Sequence, residues 1–169
     1  ALARNNDIVV VSINYRLSIF GFLDVSRWGP EYAGSGSRGF EDQIAALAWV
    51  ADNIADYGGD AGNVTICGQS AGAASVLALL GAPGARGLFH KAVAFSGILT
   101  TDPVADAVGP LAAHLQIEEG EVEEHLKALS TEALAALSLV TAGIWGSGVD
   151  GKVITESTMD AIRSRGADG

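Results

Sequence analysis

The chain has 169 residues, of which 49% are hydrophobic and 18% charged, enough for one domain with a buried core. A net charge of -10 argues against nucleic-acid binding, because phosphate recognition needs basic surface. The single cysteine, Cys67, excludes an internal disulfide, and the apolar runs are too short to span a bilayer. No basic and then apolar leader pattern is visible, so a cytoplasmic and a secreted soluble protein both stay open.

The first half of the chain begins with a predicted strand. Residues 8–14 are mostly β-branched and apolar, which favours a strand buried on both faces of a parallel sheet. Residues 26–38 are rich in Gly and Ser and indicate a surface loop. Residues 41–56 carry apolar side chains at intervals of three and four, which predicts an amphipathic helix.

Strands and helices then alternate. Short strands are expected at residues 63–67 and 92–95, and an Ala-rich helix at residues 71–80 lies between them. The order strand, helix, strand predicts an α/β fold with a mostly parallel sheet and crossover helices.

Beyond residue 100 the pattern becomes helical, and no convincing strand follows. Residues 1–100 are therefore interpreted as the central part of an α/β core, and residues 101–169 as a helical insertion or lid of the same domain. The expected helices cover residues 105–115, 122–129 and 131–139.

Gly68-Gln69-Ser70-Ala71-Gly72 has the G-x-S-x-G pattern of a nucleophile elbow. It directly follows a predicted strand and directly precedes a predicted helix, which is the context that this motif requires. The tight turn is expected to leave room for glycine alone at both flanking positions and to hold the Ser70 hydroxyl at the carboxyl edge of the sheet. The backbone amide of Ala71 would face the developing oxyanion. The alternative is a serine that merely caps the helix in a Gly-rich turn.

Besides this motif, many short blocks of the sequence carry a resemblance to a known family. These blocks are Val10-Val11-Ser12-Ile13-Asn14-Tyr15-Arg16, Phe20-Gly21-Phe22-Leu23, Asp42-Gln43, Trp49-Val50, Asn53-Ile54, Tyr57-Gly58-Gly59-Asp60, Asn63-Val64-Thr65, Gly68-Gln69-Ser70-Ala71-Gly72-Ala73-Ala74-Ser75, Gly87-Leu88-Phe89, Ser96-Gly97 and Val149-Asp150-Gly151. In order and near-spacing they resemble the type-B carboxylesterase and lipase family, which includes cholinesterases and bacterial para-nitrobenzyl esterases. The resemblance is strong over residues 5–100 and looser beyond, and it implies an α/β-hydrolase fold of which this chain holds a part.

The resemblance assigns roles to individual residues. Ser70 matches the acylated nucleophile, and Ala71 matches the residue whose amide completes the oxyanion hole. Gln69 stands where the family usually has Glu, which argues against a preference for cationic substrates. Ser96 matches a second serine of the catalytic network, although it could equally be a small residue that ends a strand. Arg16 and Asp42 match a buried structural ion pair.

The resemblance also implies that the remainder of the hydrolase domain lies outside this chain. In the family, the Gly-rich oxyanion stretch precedes the segment like residues 8–16. The triad acid follows the segment like residues 150–166, and the triad histidine comes later still. His90, His114 and His125 are poor substitutes, since one precedes a strand and two lie in predicted helices.

Other candidate positions are interpreted as structural. The carboxylates between Glu118 and Glu124 suggest a solvated face, and no cluster has the spacing of a metal site, so neither metal nor cofactor is expected. Cys67 and Trp49 are expected to pack in the interior. Trp145 could line an acyl pocket or cover the core.

These observations predict a carboxylic ester hydrolase that works through an acyl-enzyme on Ser70. The neutral Gln69 favours uncharged short or medium acyl or aryl esters as small-molecule substrates. Two alternatives stay open: a non-catalytic, cholinesterase-like adhesion or binding protein, and a truncated esterase that is inactive on its own.

Overall fold

The structure is a computed structural model that describes residues 2–144 and 146–165, without the side chain of residue 165. Two strands, β1 (Thr65–Gln69) and β2 (Lys91–Phe95), are accompanied by eight helices in the described part of the chain. The helices are α1 (Leu2–Asn6), α2 (Ser18–Phe22), α3 (Arg38–Asn53), α4 (Ala71–Leu79), α5 (Val108–Leu115), α6 (Val122–Ala128), α7 (Thr131–Val140) and α8 (Thr158–Arg165).

The two strands are parallel, as expected, and α4 is the crossover between them. Their register pairs Thr65 with Lys91 at one end and Gln69 with Phe95 at the other. Because both strands run the same way, their carboxyl ends meet at one edge of the sheet. That edge is where the predicted elbow begins.

Helix α3 supports this unit from one side. It begins at Arg38, three residues before the predicted start, and a 3-10 turn, Ile54–Tyr57, continues it. Phe40, Leu47 and Val50 form its buried face. Phe40 and Leu47 pack in one cluster with residues of α4 and with Val153 and Ile154 from near the end of the chain.

A second apolar cluster joins α2 to the helices beyond residue 100. Ile19 and Leu23 contact a group of fully buried residues on α5 and at the start of α6, among them Val108, Leu111 and Val122. Helix α2 was not expected from the sequence. The helices predicted after residue 100 are present within a few residues of their expected bounds, whereas the division of the domain at residue 100 stays a prediction.

Thr158 fastens the last described helix to the centre of the molecule. Its side chain is fully buried. Its hydroxyl donates to the Leu77 carbonyl oxygen (3.1 Å) and accepts from the Thr100 amide (3.2 Å). Its own amide donates to the Thr100 carbonyl oxygen (2.8 Å). Three distant stretches of chain therefore meet at one threonine.

The expectation that residues 8–14 form a strand buried on both faces is wrong. The segment is not a strand, and its apolar side chains are exposed, with Ile8, Val10 and Val11 between 44% and 52% accessible. A cleft of about 730 Å³ lies between this segment and β1, over α3 and α4. Since no neighbouring strand pairs with the segment among the described residues, it has neither ladder hydrogen bonds nor buried faces.

Two further residues differ from the interior packing that was expected of them. Cys67 is exposed because it lies in β1 beside the same cleft. Trp49 is 46% accessible and packs against the Tyr57 ring, with 5.8 Å between the ring centroids. Trp145 lies outside the described residues. In the part of the chain that the structure describes, no helix has both the length and the apolar character needed to cross a membrane.

Candidate active site at the carboxyl edge of the sheet

Ser70 occupies the sharp junction between β1 and α4. Its backbone lies at φ 53° and ψ -117°, a left-handed conformation that costs a non-glycine residue about 1–3 kcal/mol. The Ser70 amide donates to the Phe95 carbonyl oxygen (3.0 Å), and its carbonyl oxygen accepts from the Ala74 amide (2.9 Å). The junction is thus held from both sides while the residue itself stays exposed at the sheet edge.

The two motif glycines differ in how much room each has for a side chain. A Cβ on Gly68 would lie 2.3 Å from the carbonyl carbon and oxygen of Gly72, which no side chain can tolerate. A Cβ on Gly72 would meet nothing within 4 Å. The expectation that both positions exclude a side chain is therefore wrong for Gly72. Its backbone, rather than its missing side chain, is the surface against which Gly68 packs.

Ser96 follows β2 as Ser70 follows β1. The ladder ends with the pair Gln69 and Phe95, so both serines lie one residue beyond it on the same edge. Ser96 also has a positive φ, 59°. A Cβ on the next residue, Gly97, would lie 2.8 Å from the backbone of α4. The structure thus brings the two predicted serines to adjacent ends of paired strands.

Ala71 is the first residue of α4, and Gln69 is the last residue of β1. The first amides of a helix have no intrahelical partner, and Ser70 makes no side-chain cap hydrogen bond with them. Such amides suit a developing negative charge. Gln69 is exposed beside the serine and adds no charge there.

The three histidines lie elsewhere. His90 immediately precedes β2, at the amino edge, and its Nδ1 accepts from the Val64 amide (3.1 Å). His114 in α5 and His125 in α6 are exposed. Within the described residues, no histidine hydrogen-bonds to the Ser70 hydroxyl, so this part of the chain brings no base to the serine.

Arg16 and Asp42 form the expected ion pair, but the pair is not buried. Nε and Nη2 of Arg16 donate to Oδ2 (2.8 Å) and Oδ1 (2.7 Å) of Asp42, and the Arg16 amide donates to Oδ2 (2.9 Å). The two side chains are 48% and 27% accessible, so solvent screens their interaction. Hydrogen bonding from Arg16 lowers the pKa of Asp42, and the carboxylate in turn raises the pKa of Arg16.

The acidic run serves local structure. Glu118 and Glu121 form a capping box at the turn before α6, and Glu119 pairs with Arg27 across the fold. Glu123 accepts from Lys127 (2.6 Å) and from the Tyr32 hydroxyl (2.9 Å), and these two bonds lower its pKa. In the described ranges, no group of three or more His, Cys, Asp or Glu side chains is placed to hold a metal ion.

Gln43 lies near the site, and no role was predicted for it from the sequence. It is only 3% accessible, and its Nε2 donates to the Ser75 hydroxyl (3.1 Å). That hydroxyl donates to the Ala71 carbonyl oxygen (3.1 Å). The sequence does contain a signal, since Gln43 is a polar residue on the face of α3 that is otherwise buried and apolar. Its partner, Ser75, is visible only in the structure.

Known proteins resemble this chain along nearly its whole length. The model of the carboxylesterase family matches residues 1–168. The chain is 38% identical to the para-nitrobenzyl esterase of Bacillus subtilis over 99% of its length, and 35% identical to human carboxylesterase 3 over 98%. It superposes on the crystal structure of the Geobacillus stearothermophilus carboxylesterase EST55 with a TM-score of 0.81, at 41% identity over 97% of the chain.

These relatives are much longer than the chain. It spans 36% of the Bacillus esterase, 30% of the human enzyme and 36% of the Geobacillus structure. The matches confirm the expected partial α/β-hydrolase fold. Because a family model and relatives above 30% identity cover almost every residue, this polypeptide belongs to the carboxylesterase family.

Proposed function

We propose that the protein carrying this chain hydrolyses carboxylic esters through Ser70. The observation that carries the proposal is the backbone of Ser70, held at φ 53° between a strand and a helix on the carboxyl edge of the sheet. A strained conformation persists only where its surroundings impose it, and such residues cluster at functional sites. Membership of the carboxylesterase family adds independent support.

The reaction has two halves. The Ser70 oxygen attacks the ester carbonyl carbon, and the carbonyl oxygen becomes an oxyanion that the Ala71 amide stabilises. The C–O bond to the alcohol then breaks, and the proton released by Ser70 passes through a base to the departing alcohol. Water attacks the acyl-enzyme in the same way and releases the acid.

The base, its carboxylate partner and the Gly-rich oxyanion amides are expected outside residues 1–169. Residues 1–169 alone would accordingly be inactive. Gly68, Gly72 and Ser96 support the turn, and residues 101–169 would form a helical insertion beside the core. The small-molecule partner is an ester, with uncharged acyl or aryl esters favoured by the neutral Gln69.

The experiment is fluorophosphonate labelling of the complete gene product, together with hydrolysis of a chromogenic aryl ester. Ser70→Ala should abolish the labelling and lower kcat by at least about 10⁴-fold, because nothing replaces the nucleophile. Ser26→Ala is the matched control, since Ser26 is an exposed serine in a separate 3-10 turn. It should label and turn over normally.

Two outcomes would contradict the proposal. Labelling that survives in Ser70→Ala would show that another group is the nucleophile. A well-folded wild-type protein that neither labels nor hydrolyses any ester would favour the non-catalytic binding class instead.

A further inference from the structure

A hydrogen-bond relay connects α3 to the first residue of α4. It runs from Nε2 of Gln43 to the Ser75 hydroxyl and from there to the Ala71 carbonyl oxygen, with both distances 3.1 Å. The direction of the relay is fixed: an amide nitrogen can only donate, so the Ser75 oxygen accepts and its single proton goes to Ala71. Gln43 and Ser75 are both buried, at 3% and 9% accessible.

The end point of this relay is the residue on which the oxyanion depends. Ala71 carries the oxyanion amide on its amino side and the relayed carbonyl on its carboxyl side. A bond that fixes the carbonyl restrains the rotation of the whole residue. A serine that bonds back to the carbonyl four residues earlier tends on its own to loosen or bend a helix. The amide of Gln43 holds the Ser75 oxygen in place and opposes that tendency.

The opposite face of the same turn is already fixed by sterics. Gly68 meets the Gly72 backbone, and Gly97 meets the backbone of α4. These contacts press the start of α4 against the sheet, whereas the Gln43 relay holds it from the side of α3. The nucleophile turn is thus held between the sheet and α3, on the sheet side by these contacts and by the hydrogen bond from the Ser70 amide to the Phe95 carbonyl oxygen, and on the α3 side by the Gln43 relay.

We propose that Gln43 is a positioning residue of the esterase reaction, which acts through Ser75 to aim the Ala71 amide at the oxyanion. This inference rests on the proposed function. It is distinct from a role in folding alone. If the relay served folding alone, a variant without both of its side chains would have no unpaired buried polar atom and would behave like the wild type. If the relay positions the Ala71 amide, that variant would be stable but slow.

The test is a double-mutant cycle in the complete gene product. It compares Gln43→Leu, Ser75→Ala and the double variant by Tm, kcat and KM for a neutral aryl ester. Gln43→Leu should lower the Tm, because the Ser75 oxygen loses its buried donor. It should also lower kcat by about 10-fold with KM nearly unchanged, since a small misdirection of the amide acts on the transition state.

The double variant separates the two roles. It leaves no unpaired polar atom of this relay, so its Tm should return close to that of the wild type, because removal of both partners is nearly neutral. Its kcat should stay about 10-fold low, as in Ser75→Ala. Recovery of kcat together with Tm would overturn the proposal, as would a normal kcat in either single variant. Should Gln43→Leu fail to fold, Ser75→Ala and the double variant decide alone.

Asn53→Leu is the control on the same helix. Asn53 lies ten positions beyond Gln43, about 15 Å along the helix axis, and its side-chain amide donates to the Trp49 carbonyl oxygen (2.8 Å). It should alter Tm without altering kcat. The wild type and Ser70→Ala are assayed in parallel. An active wild type with an inactive Ser70→Ala sustains the proposed function even if the Gln43 inference fails. A folded but inactive wild type overturns both.

Discussion

Gln69 places a neutral amide next to Ser70, the proposed nucleophile. It ends β1, is exposed, and precedes Ser70 directly, so a charge at this position would lie close to an ester bound at Ser70. We expect Gln69→Glu to raise kcat/KM for a choline ester by about 5-fold relative to an uncharged ester of the same acid, because a nearby carboxylate attracts the cation.

Competing hydrolysis of the two esters measures this ratio directly. The gain should shrink in 0.5 M salt, since screening weakens attraction between exposed charges. A wild-type enzyme that already prefers the choline ester strongly would contradict the assigned preference for uncharged substrates.

The elbow shows what a motif conveys about single residues. The pattern located Ser70 and the need for a small residue at Gly68, because both follow from the covalent geometry of a tight turn. It could not show that Gly72 has open space around it, since that depends on what lies across the cleft. The pairing of Gln43 with Ser75 was equally hidden, because it joins residues 32 positions apart.

At the scale of elements, the Arg16–Asp42 pair ties the stretch of chain before α2 to α3. Hydrogen bonding lowers the pKa of Asp42 in the folded protein, so the pair contributes stability above the ordinary carboxyl pKa of about 4. This contribution is lost as pH falls through the lower folded value. Asp42→Asn should destabilise the protein by about 1 kcal/mol at pH 7, a small cost because the pair is partly exposed.

Thermal melting of both proteins between pH 3 and pH 7 checks the sign. The difference in Tm between the wild type and Asp42→Asn should be constant near neutral pH and should become smaller below about pH 4. Asp56→Asn, at an exposed position in the turn after α3, serves as a control. A gap that widens in acid would contradict the assignment.

Elements with local signals were predicted well. Helix α3 follows from apolar periodicity and α4 from its Ala-rich composition, with glycines near the end of each, and β1, α4 and β2 fall within a few residues of their expected bounds. The strand prediction for residues 8–14 was wrong because a strand forms only where a neighbouring strand pairs with it. The apolar composition specifies only that both faces should be covered. Cys67 and Trp49 failed for the same reason, since their exposure depends on what packs against them.

On the scale of the whole molecule, the cleft leaves two apolar borders facing each other. The segment at residues 8–14 exposes its β-branched side chains, and β1 has β2 on one side only among the described residues. Unpaired strand edges with apolar side chains recruit other chains. We therefore expect residues 1–169, expressed alone, to self-associate at micromolar concentration.

Size-exclusion chromatography with light scattering measures this association. Val11→Lys should reduce it, because Val11 is exposed and lines the cleft, and a charge on an exposed edge opposes strand pairing. Leu139→Lys is the matched control, an exposed apolar residue (81% accessible) on α7 and away from the cleft. A monomeric wild-type fragment, or equal effects of the two substitutions, would contradict the expectation.

Thr158 has a consequence for the order of events during synthesis. Leu77, near the end of α4, leaves the ribosome 81 residues before Thr158, whose hydroxyl donates to the Leu77 carbonyl oxygen. At about 5–20 residues per second, that interval lasts roughly 4–16 seconds. Through that time the Leu77 carbonyl oxygen lacks the hydrogen bond from Thr158, and the nascent polypeptide must carry α4 without this contact to the last described helix.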